Sequence, residues 1–542
     1  GASMTDIPKK IIGARRRRKT PPPPTRTPDT LHSKQFATFL DVISEGEIEG
    51  FATASKEGRT QGTTAYNNAA LKDVFLNETP VLEASADSAN ATATDFNFQD
   101  VQFKPRFGTA DQAKVEGIES SSSVTTVGVT VTASSPVTRQ ITNTNVDRIN
   151  VLITVPQLQK ATDKGDILGS EIQYKISVQY NSGGFTDLIT DTISGRTADA
   201  YQRDYGINLT GDFPVDIRVS RITADSTDSF LVDEFQWTSF SEIIDDANTY
   251  PNSAYSSLRL DSVQFNTAPS RKFRIRGIKI RIPGAGASGS GTPTVDLQTG
   301  RIIYPDGYIF NGVMGAAVWC SCPAMVLLDL LTTSRYGFGD HITDSSLDLF
   351  SFVTASKYAN TLVDDGLGGQ EARFSCNVNI QSPVEAFNLI NELAGVMRCM
   401  PIWSAGSISI TQDKPTDPSY LFTLSNVSEE GFSYSGSSLK TRHSVISVSY
   451  FNMDSQEVDF EVVEDATAIS KIGTVVKQVK AFACTSRGQA KRLGKAILFA
   501  EQNESEIVAF ATSIDSGAVV RPGAIIEIQD PVRAGVRRGG RL

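Results

Sequence analysis

The sequence predicts a mainly β, multidomain protein with a central α/β part. Three observations support this fold class. The chain has 542 residues, enough for several domains. Phe and Tyr, with 28 and 14 copies, far outnumber the six Met, which suits packing between sheets. Alternation of apolar and polar residues recurs along the chain, whereas helical spacing is confined to the middle and to one late segment.

Composition excludes several classes of protein. No run approaches the ~18 apolar residues of a transmembrane helix, and the basic, Pro-rich start lacks the apolar core of a signal peptide. Five widely spread Cys do not suggest a disulfide framework. With only three His, sites built on His ligands or on a Ser-His-Asp triad are disfavoured. We therefore expect no metal, no cofactor and no membrane insertion from this segment.

Charge is distributed unevenly along the chain. The net charge is -10, yet residues 1–26 hold eight basic residues and one acid, so the remainder carries about -17. Residues 1–30 are basic and Pro-rich, a composition typical of a flexible arm. The arm either docks on an acidic partner or on nucleic acid, or it is a solvated tail that becomes ordered only in an assembly. Its candidate docking residues are Arg15, Arg16, Arg17 and Arg18.

Residues 120–248 are predicted to form a β-sandwich of the immunoglobulin or fibronectin type. Between Glu171 and Tyr180, apolar residues alternate strictly with polar ones, and Asn-Ser-Gly-Gly at 181–184 then favours a hairpin turn. Further strand-like runs follow at 215–222 and 230–240. Short strands at this spacing are typical of a sandwich of ~100 residues.

The run 272–283 is predicted to be a strand with a β-bulge. Phe273 and Ile275 share one face, and the apolar residues shift phase after Gly277, as a bulge at that glycine would cause. The opposite face then carries five basic residues, which are Lys272, Arg274, Arg276, Lys279 and Arg281. They are candidate interface or channel residues that contact an acidic neighbour. The alternative is a solvated charged face.

Helical signals appear in the middle of the chain. Pro323 suits the first helical position and predicts a helix that runs to about Ser334. The run Ser-Pro-Val-Glu from Ser382 to Glu385 has the form of a capping box, so a second helix is predicted to begin there.

A late helix is predicted over residues 486–503, with Ser486 and Gln489 as its capping pair. Its first turn is rich in basic residues, and an anion site at this N-terminus is one interpretation. A last strand is predicted at 524–529.

No catalytic motif emerges. A G-x-G-x-x-G run at 284–289 is followed by Ser-Gly-Thr-Pro, so no helix begins inside it, as a dinucleotide site requires. Cys320 and Cys322 form a close pair without a second pair or a nearby His, which favours buried thiols over zinc. Abundant Asp and Glu leave a glycosidase-type carboxylate pair open, but no motif locates one. The residues thus favour a structural or interaction protein, and we assign no catalytic, cofactor-binding or metal residues.

A series of longer runs is distinctive when taken together. They include VWC (318–320), LLTTSRYGFG (330–339), DGLGGQEARFSCN (365–377) and FACTSRGQAKR (482–492). In their order, from about residue 36 to 530, thirteen such runs resemble the lambda-type tail tip protein of siphophages, the host-specificity protein J family.

The resemblance implies a non-enzymatic virion protein at the distal tip of a long non-contractile tail. Members of the family form a homotrimeric hub with two β-barrel-like domains per subunit, which joins the tail tube to the receptor-binding central fibre. The implied partners are the distal tail and tail tube proteins, other tail tip subunits and the tape measure protein. A C-terminal region that we expect this chain to lack would bind the host outer-membrane receptor. DNA passes through the channel without specific binding, and receptor contact opens the channel mechanically.

The pattern and the resemblance together predict six segments. They are the arm (1–30), the first part of a hub β-domain (31–119), the inserted β-sandwich (120–248), the return to the hub β-domain (249–310), an α/β hub domain (311–402) and a second hub β-domain, truncated C-terminally (403–542). The acidic body suits a DNA channel, because a basic lining would hold phosphates. The alternative function is a polysaccharide-binding or cell-wall-degrading β protein.

Overall fold

The computed structural model describes residues 25–33, 36–382, 384–404, 406–436, 442–504, 506–533 and 537–541. This described part contains thirty-four strands and eight α-helices, and six of those helices lie between Pro323 and Val519. The predicted mainly β, multidomain class with a helical centre is confirmed.

The first region combines short strands with two short helices. Its elements are β1 (Phe36–Glu45), β2 (Ile48–Phe51), α1 (Ala52–Lys56), α2 (Thr64–Leu71), β3 (Val74–Leu76), β4 (Thr79–Pro80) and β5 (Gln102–Phe107). Phe51, Tyr66 and Phe103 meet in one core with Leu258 from a later strand. The Tyr66 hydroxyl accepts the Phe51 backbone N–H at 3.2 Å, which fixes α2 against β2.

A β-sandwich follows. Its strands are β6 (Glu119–Thr130), β7 (Val137–Ile141), β8 (Arg148–Val155), β9 (Gln159–Ala161), β10 (Ile167–Leu168), β11 (Ser170–Tyr180), β12 (Thr186–Gly195), β13 (Tyr201–Asn208), β14 (Val215–Arg221), β15 (Leu231–Val232) and β16 (Gln236–Asp245). Two four-stranded sheets, β12-β11-β14-β7 and β13-β8-β16-β6, enclose one apolar core. Ile172, Tyr174 and Ile176 of β11 lie in that core, as their alternation predicts.

The sandwich is inserted into the first region. The next strands are β17 (Ser253–Asp261), β18 (Arg271–Phe273), β19 (Ile275–Pro283), β20 (Thr294–Val295), β21 (Ile302–Ile303) and β22 (Met314–Trp319). β17 lies between β1 and β5 and is antiparallel to both. Ala254 at its start is the register partner of Phe107 at the end of β5, so the chain re-enters the sheet where it left it.

The predicted bulge at Gly277 is wrong. β19 pairs with β2 in a single register from Ile275 to Ile278, so no residue is added there. Instead, the strand changes the side that it buries: Phe273 and Ile275 pack against the first core, and Ile278 packs against the core of the next region. Such a change shifts the apolar pattern by one residue, as a bulge would, because successive side chains point to opposite faces.

Helices enclose the central core. The elements here are α3 (Pro323–Thr332), α4 (Leu349–Ala359), β23 (Leu362–Asp364), β24 (Gln370–Ala372), α5 (Ala386–Val396), β25 (Cys399–Ser404) and β26 (Ser407–Gln412). Pro323 opens α3 as predicted. The predicted capping box is wrong, because α5 begins at Ala386 with Glu385 at its N-cap and no side-chain cap. Its buried residues begin only at Leu389, so core packing supports no earlier turn.

The last region returns to strands around one long helix. Its elements are β27 (Leu421–Thr423), β28 (Ser433–Gly436), β29 (Val445–Asn452), β30 (Glu457–Glu464), α6 (Ala466–Ile472), β31 (Val476–Lys480), α7 (Arg487–Asn503), β32 (Glu506–Ala509), α8 (Ile514–Val519), β33 (Ile525–Gln529) and β34 (Arg537–Arg541). The Ser486 hydroxyl accepts the Gln489 N–H at 3.1 Å, so the predicted Ser486 cap of α7 is confirmed. The Gln489 side chain does not complete the pair, because it forms hydrogen bonds with Ser375 instead.

The barrel-like form that the resemblance implies for the hub domains differs from the structure. Over the described residues, the strands form open sheets of two to four strands, and none of these sheets closes on itself. A barrel closes only when the number of strands, their tilt and their stagger are mutually consistent. Sheets this small end in unpaired edge strands and remain open within one chain.

Candidate interface surfaces

Most of the basic residues singled out in 272–281 are paired with acids of the same chain. Four of the five form ion pairs, which are Lys272–Glu78 (2.6 Å), Arg274–Asp73 (2.7 Å), Lys279–Glu47 (2.7 Å) and Arg281–Asp344 (2.8 Å). The hydrogen bonds from Arg281 lower the pKa of the Asp344 carboxyl. The predicted shared face is wrong, because β19 has no bulge between Ile275 and Ile278, so Arg276 and Lys279 point to opposite sides.

Arg276 has a different environment from the other four. Its side chain is only 2% exposed, and its guanidinium carbon lies 4.7 Å from the centre of the Trp319 ring. Nη1 and Nη2 are buried and find no hydrogen-bond partner among the described residues. Burial lowers the pKa of this guanidinium, because the apolar surroundings penalise its charge. Arg276 is therefore a buried cation that stacks on an aromatic ring, and the charges of Glu49, Asp296 and Asp73 favour it from a distance, with no ion pair in the described part of the chain.

The described end of the N-terminal segment is attached to the sandwich. The Thr27 N–H donates to the Ile167 carbonyl, and the Thr30 N–H donates to the Arg196 carbonyl, both at 3.0 Å. Arg196 is buried and pairs with Asp29. The arm therefore joins the body at the sandwich, while its candidate docking residues Arg15, Arg16, Arg17 and Arg18 lie outside the described residues.

The N-terminus of α7 already holds an anion, the Glu371 carboxylate of the same chain. The Ser486 hydroxyl donates to Glu371 Oε2 at 2.5 Å, and Arg492 Nη1 donates to Oε1 at 2.6 Å. The expected anion site is thus occupied from within the fold. This contact joins α7 to the strands β23 and β24 of the central region.

The sheet β30-β29-β31 exposes an apolar face. α7 covers one side of this sheet, where Ile446, Val448 and Val463 lie in a core with Leu498. The other side carries five exposed apolar residues, Phe451, Val458, Phe460, Val462 and Val476, which we name the C-terminal sheet face. The polar residues Ser447, Ser449, Gln478 and Lys480 point to the same side of the sheet. The five apolar side chains are between 42% and 62% exposed. A cluster of this kind on a soluble protein usually marks an interaction surface.

Among the described residues, neither a metal-binding cluster nor a reactive thiol is present. These residues contain no group of three or more His, Cys, Asp or Glu side chains placed to hold a metal ion. All five cysteines are free and buried, and burial raises the pKa of Cys376 to about 12 and of Cys484 to about 11. These thiols stay protonated near neutral pH and are poor nucleophiles. No helix in the described part is long and apolar enough to span a bilayer.

Comparison with known proteins gives a consistent result. The family model of the FNIII-A domain of tip attachment protein J matches residues 121–246, and a model described as a putative phage tail protein matches residues 385–542. The tip attachment protein J of Escherichia phage SECphi27 is 31% identical over 85% of this chain. That of Escherichia phage SECphi4 is 30% identical over 95% of it. This chain belongs to the tip attachment protein J family.

Membership of the tip attachment protein J family confirms the resemblance and locates the chain in the virion, at the tip of the tail. The matches cover 37% and 42% of the two relatives, so the chain spans about two fifths of their length. Neither relative is named as a polysaccharide-binding or cell-wall-degrading protein. The 43 kDa tail protein of prophage MuSo2 from Shewanella oneidensis is 14% identical over 73% of this chain and 87% of its own length. Its TM-score of 0.25 is too low to support a structural comparison.

Sequence reasoning did not single out the C-terminal sheet face. A usable signal was present, because Val458, Phe460 and Val462 alternate with the acids of β30. That alternation predicts an amphipathic strand, but it does not tell which of the two faces another element covers.

Proposed function

We propose that this chain forms the hub of the tail tip, in which three copies assemble into a ring between the tail tube and the receptor-binding fibre. The observation that carries this proposal is the ~30% identity to tip attachment proteins, which extends over 85% and 95% of the chain. The fold supports it, since a sandwich inserted into a continuous sheet extends a subunit outward without breaking the body.

The proposed role is mechanical and not enzymatic. Intrachain ion pairs brace β19 and the adjoining Arg274 against the neighbouring elements, which suits a subunit that transmits force. On this proposal, the segment 272–281 lies near a subunit boundary, and Arg15, Arg16, Arg17 and Arg18 dock on an acidic surface of a neighbouring tail protein. The distal tail and tail tube proteins, other tip subunits and the tape measure protein are the proposed partners. The host receptor binds sequence beyond this hub portion.

The ring is tested by its mass and shape. Light scattering coupled to size exclusion should give three times the 58.5 kDa of the chain, and negative-stain images should show three-fold ring views. A single-chain mass both for this chain and for a full-length version would refute the proposed hub.

The net negative charge should matter for passage of DNA. We expect that acids lining the channel keep it from holding phosphates. Replacing those acids with Lys should slow genome ejection in an assembled virion. Ejection at the wild-type rate would refute this part of the proposal.

A further inference from the structure

The C-terminal sheet face exposes the side of β30 that the sequence pattern predicts to be buried. In β30, Val458, Phe460 and Val462 alternate with Asp459 and Glu461, which is the pattern of a strand that buries its apolar side. The structure does the reverse. The apolar side chains are 62%, 59% and 53% exposed, whereas Glu461 is 6% exposed and pairs with Arg487 of α7.

The helix α7 covers only one of the two faces of the sheet β30-β29-β31. A Cβ on Gly494 of α7 would lie 2.8 Å from Val463, so the helix is already in close contact with the inner side of the sheet. On the outer side, Phe451 and Val458 are register partners, and Phe460 and Val462 continue the apolar surface along β30. No described element of the chain covers these residues, and they are between 42% and 62% exposed.

Both flanking strands of this sheet are edges. The sheet order is β30-β29-β31, and no further described strand pairs with either flank. The two edges differ in charge, because the charged residues of β30 are all acidic and those of β31 are all lysines. Glu461 and Lys477 are paired within the chain, which leaves Glu457, Asp459, Glu464 and Lys480 without an ion pair among the described residues. Asp459 accepts hydrogen bonds from Tyr450 and Asn452 instead.

We propose that the C-terminal sheet face is the contact between copies of this chain, with the β30 edge of one copy against the β31 edge of the next. A two-fold contact would bring two acidic edges together, whereas a head-to-tail contact joins acid to lysine and closes a ring. β29 is parallel to β31 and antiparallel to β30, so in a ring the edges meet in the favoured antiparallel sense. This inference rests on the proposed trimeric hub and assigns its interface.

The arrangement also explains the apolar face. Three copies of a three-stranded sheet supply nine strands, and a barrel of about eight strands is just wide enough for side chains to fill its interior. The exposed apolar residues of the three copies would then pack together in one shared interior. Lys480 and Glu464 point to the same side, so they would meet there across the edges of neighbouring copies. Such an interior leaves no room for DNA, so the copies must separate at this sheet before ejection.

The test compares two phenylalanines of the same region. Phe460 on the outer face is 59% exposed, and Phe499 on the solvent side of α7 is 62% exposed. Phe460→Asp should reduce the light-scattering mass from three chains to one, whereas the matched control Phe499→Asp should keep three. Both variants should keep the wild-type circular dichroism spectrum, because both side chains already lie in solvent in the single chain.

Charge reversal tests the pairing of the edges. Lys480→Glu should raise the concentration needed for assembly at least tenfold at low salt, and adding Glu464→Lys in the same chain should restore it. If wild type is trimeric and Phe460→Asp remains trimeric, this interface is wrong while the hub stands. If this chain and a full-length version both stay single chains at every concentration tested, both the hub and this interface fail.

Discussion

Arg276→Met is expected to stabilise the isolated chain, although it removes a charged side chain from the strand β19. The arginine is 2% exposed, stacks 4.7 Å from the Trp319 ring centre, and has two buried nitrogens without a partner among the described residues. Methionine has a similar length and can fill the same space without a charge. The substitution therefore removes the cost of burying the cation and keeps most of the packing.

The magnitude follows from two opposing contributions. Burying an ion without a direct ion pair costs several kcal/mol, and a cation–π contact in a desolvated site returns only about 2 kcal/mol. The more distant charges of Glu49, Asp296 and Asp73 offset part of the remainder. The free energy of unfolding should rise by about 1–3 kcal/mol in Arg276→Met. If Arg276 also contacts a neighbouring subunit in the assembled hub, the Arg276→Met variant should show the same gain in stability as a single chain but should assemble less well.

Denaturant unfolding followed by tryptophan fluorescence measures this change, because Trp319 is one of only three tryptophans in the chain. Arg281→Met on the same strand is the matched control. Its ion pair with Asp344 is partly exposed, so the free energy of unfolding should change by less than about 1 kcal/mol. A loss of more than about 1 kcal/mol in Arg276→Met would refute the reasoning, since it would show that the guanidinium is well paired.

Three other contacts can be tested in similar ways. Trp237→Ala in the sandwich core should lower the free energy of unfolding by about 3–5 kcal/mol in denaturant titrations, and a loss under about 1 kcal/mol would contradict the packing. Hydrogen bonds from Arg281 lower the pKa of Asp344 in the folded state. The ion pair therefore stabilises the fold at pH values above the ordinary carboxyl pKa, and this stabilisation is lost as the pH falls through the lowered pKa of Asp344. The difference in free energy of unfolding between wild type and Arg281→Met should therefore become smaller below about pH 4. A difference that does not change with pH would contradict the role of this ion pair. Glu371→Gln should speed amide exchange in the first turn of α7 about tenfold, because two donors lose a charged acceptor, whereas unchanged protection would show that the carboxylate is dispensable.

Local signals predicted local structure well. The alternation in β11, Pro323 at the start of α3 and the Ser486 cap of α7 all involve residues within a few positions of one another. Each of these signals acts through backbone geometry or nearby hydrogen bonds, so the surrounding fold changes it little.

Sequence patterns whose outcome depends on a tertiary packing partner led to wrong or ambiguous predictions. The phase shift near Gly277 looks identical whether the strand bulges or changes the core that it packs against. The capping pattern at Ser382 competed with core packing, and the packing that begins at Leu389 prevailed. In both cases the deciding partner is distant in sequence and leaves no local trace.

The sequence by itself determined the fold class, the position of the sandwich and the family, because alternation and ordered runs of residues are properties of the chain. Only the tertiary structure decided which charges meet. Lys279 and Glu47 are 232 positions apart, and Arg274 and Asp73 are 201 apart, so no spacing rule could join them. It also decided that α7 covers the charged side of β30 and leaves the apolar side exposed. An amphipathic strand specifies two different faces, but the element packed against it determines which one is buried.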